Sequence, residues 1–149
     1  MSAFLSRWPV VQEHRVTAGD LDDGGVVGDR SVARWVAAVR SAYLDRCAAL
    51  RRRLEESGLE LEVQSAILPP GASLGRPATV LVTAGVREVW PSSFAIALRL
   101  RPLDGDREMA VNATCVMRLV DPAGGEPREL GDEVREEFIA LEHAAEHFN

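Results

Sequence analysis

Between residues 32 and 50 apolar side chains recur at helical spacing, and from residue 59 the period changes to two. Val32, Trp35, Val36, Val39, Tyr43, Leu44 and Leu50 form the stripe, with Arg34, Arg40, Asp45 and Arg46 among the intervening positions. That spacing predicts one long amphipathic helix with a single face to bury. Asp29 or Ser31 is the expected N-cap, the helix is expected to fray over 53–57, and Gly58 is a suitable stop.

The two-residue period that follows reads as antiparallel strands. Leu61, Val63, Ser65 and Ile67 alternate with Glu60, Glu62, Gln64 and Ala66 until Pro69-Pro70-Gly71. A long strand over 78–89 sets Val80, Val82, Ala84 and Val86 against Thr79, Leu81, Thr83 and Arg87, and Trp90-Pro91-Ser92 turns it. Phe94, Ile96, Leu98 and Leu100 then face inward, opposite Ala95, Ala97, Arg99 and Arg101. Asp104-Gly105 reads as a hairpin turn. The strand over 109–120 carries Val111, Ala113, Cys115, Met117 and Leu119 on one face. A first strand is expected over 10–17 and a C-terminal helix over 133–147, its Glu142 and Glu146 on a wet face. One helix over an antiparallel sheet is the simplest way to bury both apolar surfaces, so the expected class is α+β in one domain over 1–149.

Composition narrows the function. At 149 residues with 46% hydrophobic and 27% charged residues, the chain needs no disulfide or structural metal to fold. A net charge of −6 argues against a nucleic-acid footprint. Every basic residue is arginine, which excludes a phosphate loop of the Gly-Lys-Ser/Thr kind and any Schiff-base lysine. Cys47 and Cys115 make no disulfide framework, and Cys115 shares its strand face with core residues. The N-terminus lacks a basic region followed by a long apolar run, and no apolar stretch nears the length of a membrane span. The expectation is a cytoplasmic protein without membrane contact. His143 and His147 have a spacing that can hold a metal, but no third ligand is evident and no metal is expected.

The chemistry-bearing segment is Gly19-Asp20-Leu21-Asp22-Asp23-Gly24-Gly25. Taken alone it is compatible with a solvated acidic turn. It fits a calcium loop poorly, because Gly24 and Ser31 fall where oxygen ligands are needed. Its two adjacent glycines allow φ > 0 or close approach of a ligand to the backbone.

In order along the chain, these segments resemble the hotdog-fold acyl-CoA thioesterases of the 4-hydroxybenzoyl-CoA type. Asp20-Leu21-Asp22-Asp23-Gly24-Gly25-Val26-Val27 is similar to that family's Asp-x-Asp-x-x-Gly-x-Val pattern before its central helix. Trp35 and Arg40, Ser92-Ser93-Phe94 entering a strand, and Val120-Asp121-Pro122 through Pro127 and Leu130 agree as well. The resemblance implies a hotdog fold, a long helix against a curved antiparallel sheet. It also implies hydrolysis of an acyl-CoA or acyl-carrier-protein thioester without a cofactor. Asp22 would be the catalytic carboxylate, as nucleophile or general base, and the helix-start amide at Asp29 would polarise the carbonyl. Gly24, Gly25, Val26, Ser92 and Ser93 would line the substrate. Homodimers or homotetramers are implied, with sheets joined across a two-fold axis.

The chain departs from the family at Gly28, Asp29 and Val32, where Tyr, His or Asn are usual. A carboxylate at Asp29 could cap the helix and repel a developing oxyanion. No glutamate stands near Ala37 and Ala38 to replace Asp22. The alternative is a non-catalytic hotdog module that binds an acyl thioester or a protein partner. Arg51, Arg52, Arg53, Arg87, Arg99 and Arg101 are candidate phosphate contacts or plain surface charges. His14 is a half-buried strand residue that could neighbour the acidic loop.

Overall fold

The apolar stripe of the first helix is buried against the apolar face of an antiparallel sheet, and that contact organises the molecule. The computed structural model describes residues 10–105, 109–142 and 145–149. Its elements are β1 (Val10–Arg15), α1 (Asp29–Asp45), α2 (Ala48–Ser57), β2 (Glu60–Ile67), β3 (Thr79–Val89), β4 (Ser93–Pro102), β5 (Val111–Val120), α3 (Asp132–Leu141) and β6 (Glu146–His147). Short 3₁₀ turns stand at Ala18–Asp20 and Gly71–Leu74. The sheet order is β1-β3-β4-β5-β2, all antiparallel, with β6 added in parallel to β3.

Side-chain alternation decides which sheet face the helix covers. Val80, Val82, Ala84 and Val86 of β3 and Phe94, Ile96, Leu98 and Leu100 of β4 are buried, as are Ala113, Cys115, Met117 and Leu119 of β5. Val32, Trp35, Val36, Val39 and Tyr43 of α1 meet them in one cluster. Each large side chain buried there contributes roughly 1.5–3 kcal/mol before chain entropy is counted. The alternation and stripe read from the sequence hold at these positions.

The single helix does not. It breaks at Arg46 and Cys47, whose amides tighten to Tyr43 O and Leu44 O at 3.0 Å each. A second helix, α2, then starts at Ala48. Its open N-terminus is closed from outside: Glu137 of α3 accepts from the amides of Ala49 at 2.9 Å and Leu50 at 3.2 Å. Gly58 does terminate α2, in the left-handed region at φ +62°. The N-cap of α1 is Gly28, and neither Asp29 nor Ser31 holds that place.

Three strand-level expectations also change. A bulge between Val63 and Ser65 breaks the predicted face of β2, so Leu61 and Val63 oppose Leu119 and Met117, whereas Ser65 and Ile67 oppose Val116 and Thr114. Val63 and Ile67 are 45% and 70% exposed on this edge strand. Gly105 N–H donates to Pro102 O at 3.1 Å, and the β4–β5 register closes at Leu100 opposite Val111, so Asp104-Gly105 is a turn in the β4–β5 connection and not the whole of it. The C-terminal helix stops at Leu141 and β6 follows it.

Glu142 accordingly leaves the wet face expected for it and is buried. It accepts from the Tyr43 hydroxyl at 3.2 Å and pairs with Arg87 at 3.2 Å. Burial pushes its carboxyl above the usual range, against the pull of Arg87 and Tyr43. Gly85 makes room for it, because a Cβ there would stand 2.7 Å from Glu142 Oε1. Glu146 is exposed, while His143 lies outside the described residues. His147 sits half-buried in β6. Phe148 next to it stacks on Trp90 at 5.6 Å between ring centroids.

Candidate active site

Residues 21–27 form a miniature hairpin between β1 and α1. Leu21 bridges Val27, Asp22 N–H donates to Val26 O at 2.8 Å, and Gly25 N–H returns to Asp22 O at 3.0 Å. Aspartate opens such a turn well because its side chain accepts from the next amides. Asp22 Oδ1 takes Gly24 N–H at 2.8 Å and Val26 N–H at 3.3 Å. Gly25 closes the turn at φ +78°, a conformation that a side chain resists. Asp22 is exposed, and its Oδ2 meets no donor among the described residues.

The hairpin leans on the start of α1. Val27 N–H donates to Gly75 O at 2.9 Å and Gly28 N–H to Asp20 O at 2.8 Å. A Cβ on Gly28, the N-cap, would stand 3.9 Å from Asp22 Cβ, so Asp22 flanks the helix N-terminus. The amides of Ser31 and Val32 bond to Gly28 O, whereas those of Asp29 and Arg30 meet no acceptor among the described residues. Open first-turn amides and the positive end of the helix dipole favour negative charge at this spot. Asp29 Oδ1 is tethered to Gly71 N–H at 2.8 Å, which fixes the side chain against the loop after β2. Gly71 is held close: a Cβ there would lie 2.3 Å from Val27 O.

Asp20 is no solvated turn residue. It is 4% exposed, and Oδ2 accepts from Thr17 N–H at 2.8 Å and the Thr17 hydroxyl at 3.0 Å. Oδ1 accepts from the Ser31 hydroxyl at 2.8 Å and forms an ion pair with Arg34. Burial alone would raise its pKa, but the Thr17 amide, Ser31, Arg34 and the Thr17 hydroxyl together bring it down to about 2. His14 lies half-buried beside this group, its ring 5.9 Å from Trp35. Burial first and Arg34 second lower its pKa, with Asp20 pulling the other way. Asp23 is exposed, as a solvated turn residue is. Thr17 and Arg34 carry no role in the sequence reading, and Ser31 enters it as an N-cap candidate, not as a partner of Asp20. The spacing of Thr17 and Asp20, that of a capping box, is the available signal for Thr17 alone.

Asp22, Gly24, Gly25, Val26 and Asp29 thus come together, while Ser92 and Ser93 do not join them within the chain. They stand at the start of β4, whose far end, Pro102, pairs with Val80 near the hairpin side. Strand rise puts the two ends about 30 Å apart. Ser92 and Ser93 instead line a largely apolar cavity of about 630 Å³ with Gln64, Ser65, Trp90, Pro91 and Val116. Among the candidate phosphate contacts, Arg52 pairs with Glu133 and Arg87 with Glu142. Arg53 donates to Glu129 O at 3.2 and 3.0 Å, and Arg101 to Gly105 O at 3.1 Å. Cys115 is buried in the core, and burial drives the Cys47 thiol up to about 12. No three His, Cys, Asp or Glu among the described residues are grouped to hold a metal. No helix among the described residues is long and apolar enough to cross a membrane.

No family model matches the chain, and no curated protein matches it by sequence. Solved structures match it over nearly its whole length. A Pseudomonas aeruginosa protein superposes with a TM-score of 0.70 at 17% identity, covering 95% of this chain and 96% of its own. A Thermus thermophilus thioesterase solved with coenzyme A and zinc gives a TM-score of 0.66 at 22% identity, over 92% and 96%. A 1,4-dihydroxy-2-naphthoyl-CoA thioesterase from Synechocystis gives 0.66 at 13% identity, over 88% and 96%. This chain has the hotdog fold. Within the hotdog frame, the 21–27 hairpin and the start of α1 form the candidate site, and the fold by itself does not assign their chemistry.

Proposed function

We propose that this hotdog domain hydrolyses an acyl thioester of coenzyme A or of an acyl-carrier protein to a free acid and a thiol. The observation that carries the proposal is the placement of the exposed residue Asp22 beside Gly28, where the Asp29 and Arg30 amides meet no acceptor among the described residues. In this mechanism the thioester carbonyl carbon sits over the hairpin. Asp22 attacks it, or takes a proton from the water that does, while its Oδ1 stays anchored by Gly24 and Val26. The carbonyl oxygen gathers charge against the first-turn amides. Where Asp22 takes the proton of the water, collapse of the tetrahedral intermediate breaks the C–S bond and the leaving thiolate recovers that proton from Asp22. Where Asp22 attacks, collapse expels the thiolate, protonated from solvent, and leaves an acyl–Asp22 anhydride that water then cleaves to the free acid and the Asp22 carboxylate. Water supplies the oxygen of the acid and no cofactor enters. Solved hotdog structures bearing thioesterase names, one of them holding coenzyme A, support the substrate class.

A second reading, binding without turnover, draws on Asp29, whose carboxylate stands next to the amide that would polarise the carbonyl. A panel of acyl-CoA and acyl-carrier thioesters separates the two. Free-thiol release above the uncatalysed rate supports hydrolysis, whereas saturable binding with no thiol release overturns it.

A further inference from the structure

We propose that Asp20 is a positioning residue that holds Asp22 in register with the first turn of α1. The kinetic part of this claim rests on the hydrolase reading, and its structural part does not. Asp20 closes the neck of the loop from both sides. One carboxylate oxygen takes the Thr17 amide and hydroxyl, at the end of the incoming chain. The other takes Ser31 in the first turn of α1 and Arg34 in the next. The main-chain carbonyl of the same residue accepts from Gly28, the helix N-cap, at 2.8 Å. The segment between these anchors is short, and Asp22 stands two residues into it with its Cβ 3.9 Å from the Cβ position of Gly28.

Only a carboxylate meets this demand at this size. Four donors converge on two oxygens, and an asparagine offers one acceptor oxygen and an NH₂ that faces donors. One side of the neck therefore opens in Asp20→Asn. The same logic names Ser31 as the weaker partner, since its hydroxyl is one of the four donors and its amide already serves the helix. A generic structural cap would stabilise the chain without setting where Asp22 points. A positioning residue does both, and the difference is measurable.

The test pairs amide chemical shifts with kinetics on Asp20→Asn, Ser31→Ala and Ser31→Thr. The Gly24 and Val26 amides report the Asp22 carboxylate directly, because both donate to its Oδ1. In folded Asp20→Asn and Ser31→Ala proteins these two amides move toward unstructured values while β4 amides stay, and Ser31→Thr restores them. In turnover, Asp20→Asn lowers kcat by roughly 10²-fold with KM changed less than about threefold, as for a misplaced catalytic group. Combined with Asp22→Asn it costs nothing further, because it acts through that residue. Unchanged Gly24 and Val26 shifts in a destabilised Asp20→Asn protein would overturn the proposal, as would losses that multiply in the double variant. If Asp20→Asn does not fold, the Ser31 pair decides by the same shifts. A wild-type protein that releases no thiol sinks the hydrolase reading and leaves the shift measurement to judge Asp20.

Discussion

Two neighbouring aspartates show how far residue type and spacing can be read. Asp22 sits on a turn, as its company of glycines implied, and is exposed, as the proposed catalytic role requires. Asp20 looks the same in sequence and is the opposite in fact, since its donors come from Thr17, Ser31 and Arg34. Two of those lie eleven and fourteen residues away, and the eye for local pattern does not reach them. The depressed Asp20 acid has a stability consequence. Its folded pKa, about 2, lies below its usual 3.8, so the stabilisation is complete above pH 4 and is lost as pH falls from there toward 2. Its size is about 2 kcal/mol. Urea titrations between pH 2 and 5 will show that acid loss in the wild type and a flatter profile in Asp20→Asn. Gly71 offers a second residue-scale test. A methyl 2.3 Å from Val27 O cannot be absorbed without moving the loop, so Gly71→Ala should lower stability by roughly 1–3 kcal/mol in denaturant unfolding.

At the scale of elements, period and face were legible where one surface is buried and the other is not. β4, β5 and the stripe of α1 followed from that rule, whereas β3 buries Leu81 and Thr83 on its second face as well. The break between α1 and α2 did not, because no proline or glycine marks Arg46 and Cys47. What caps the restart is tertiary: Glu137, on an element nearly ninety residues later, offers its carboxylate to the amides of Ala49 and Leu50. Removing it leaves the N-terminus of α2 without its cap, so Glu137→Ala should cost about 1 kcal/mol in thermal or chemical unfolding. A variant as stable as the wild type would show that solvent caps this helix equally well. The tail departs from its expected helix for a related reason. Glu142 and Glu146 share a helical spacing with a wet face, but the chain leaves the helix after Leu141, and Tyr43 and Arg87 draw Glu142 inward.

For the whole molecule, the sheet ends in an edge that asks for a neighbour. Among the described residues β2 pairs only with β5, and Val63, Ile67 and Leu68 are exposed along it. A second copy meeting this edge across a two-fold axis is the proposed cover, giving a homodimer or a dimer of dimers. Light scattering coupled to size exclusion at micromolar concentration checks it, and a monomer there contradicts it. The function turns on a narrower point, whether the Asp22 carboxylate performs the chemistry. The deciding measurement is steady-state thioester hydrolysis by folded Asp22→Asn beside wild type, with the exposed Asp23→Asn as reference. The amide keeps the size of the side chain and removes the nucleophile or base. With Asp22 as the catalytic group, kcat falls roughly 10²–10⁴-fold with little change in KM, and Asp23→Asn stays near wild type. Hydrolysis by Asp22→Asn at the wild-type rate contradicts the assignment and moves the search for the catalytic group away from the hairpin.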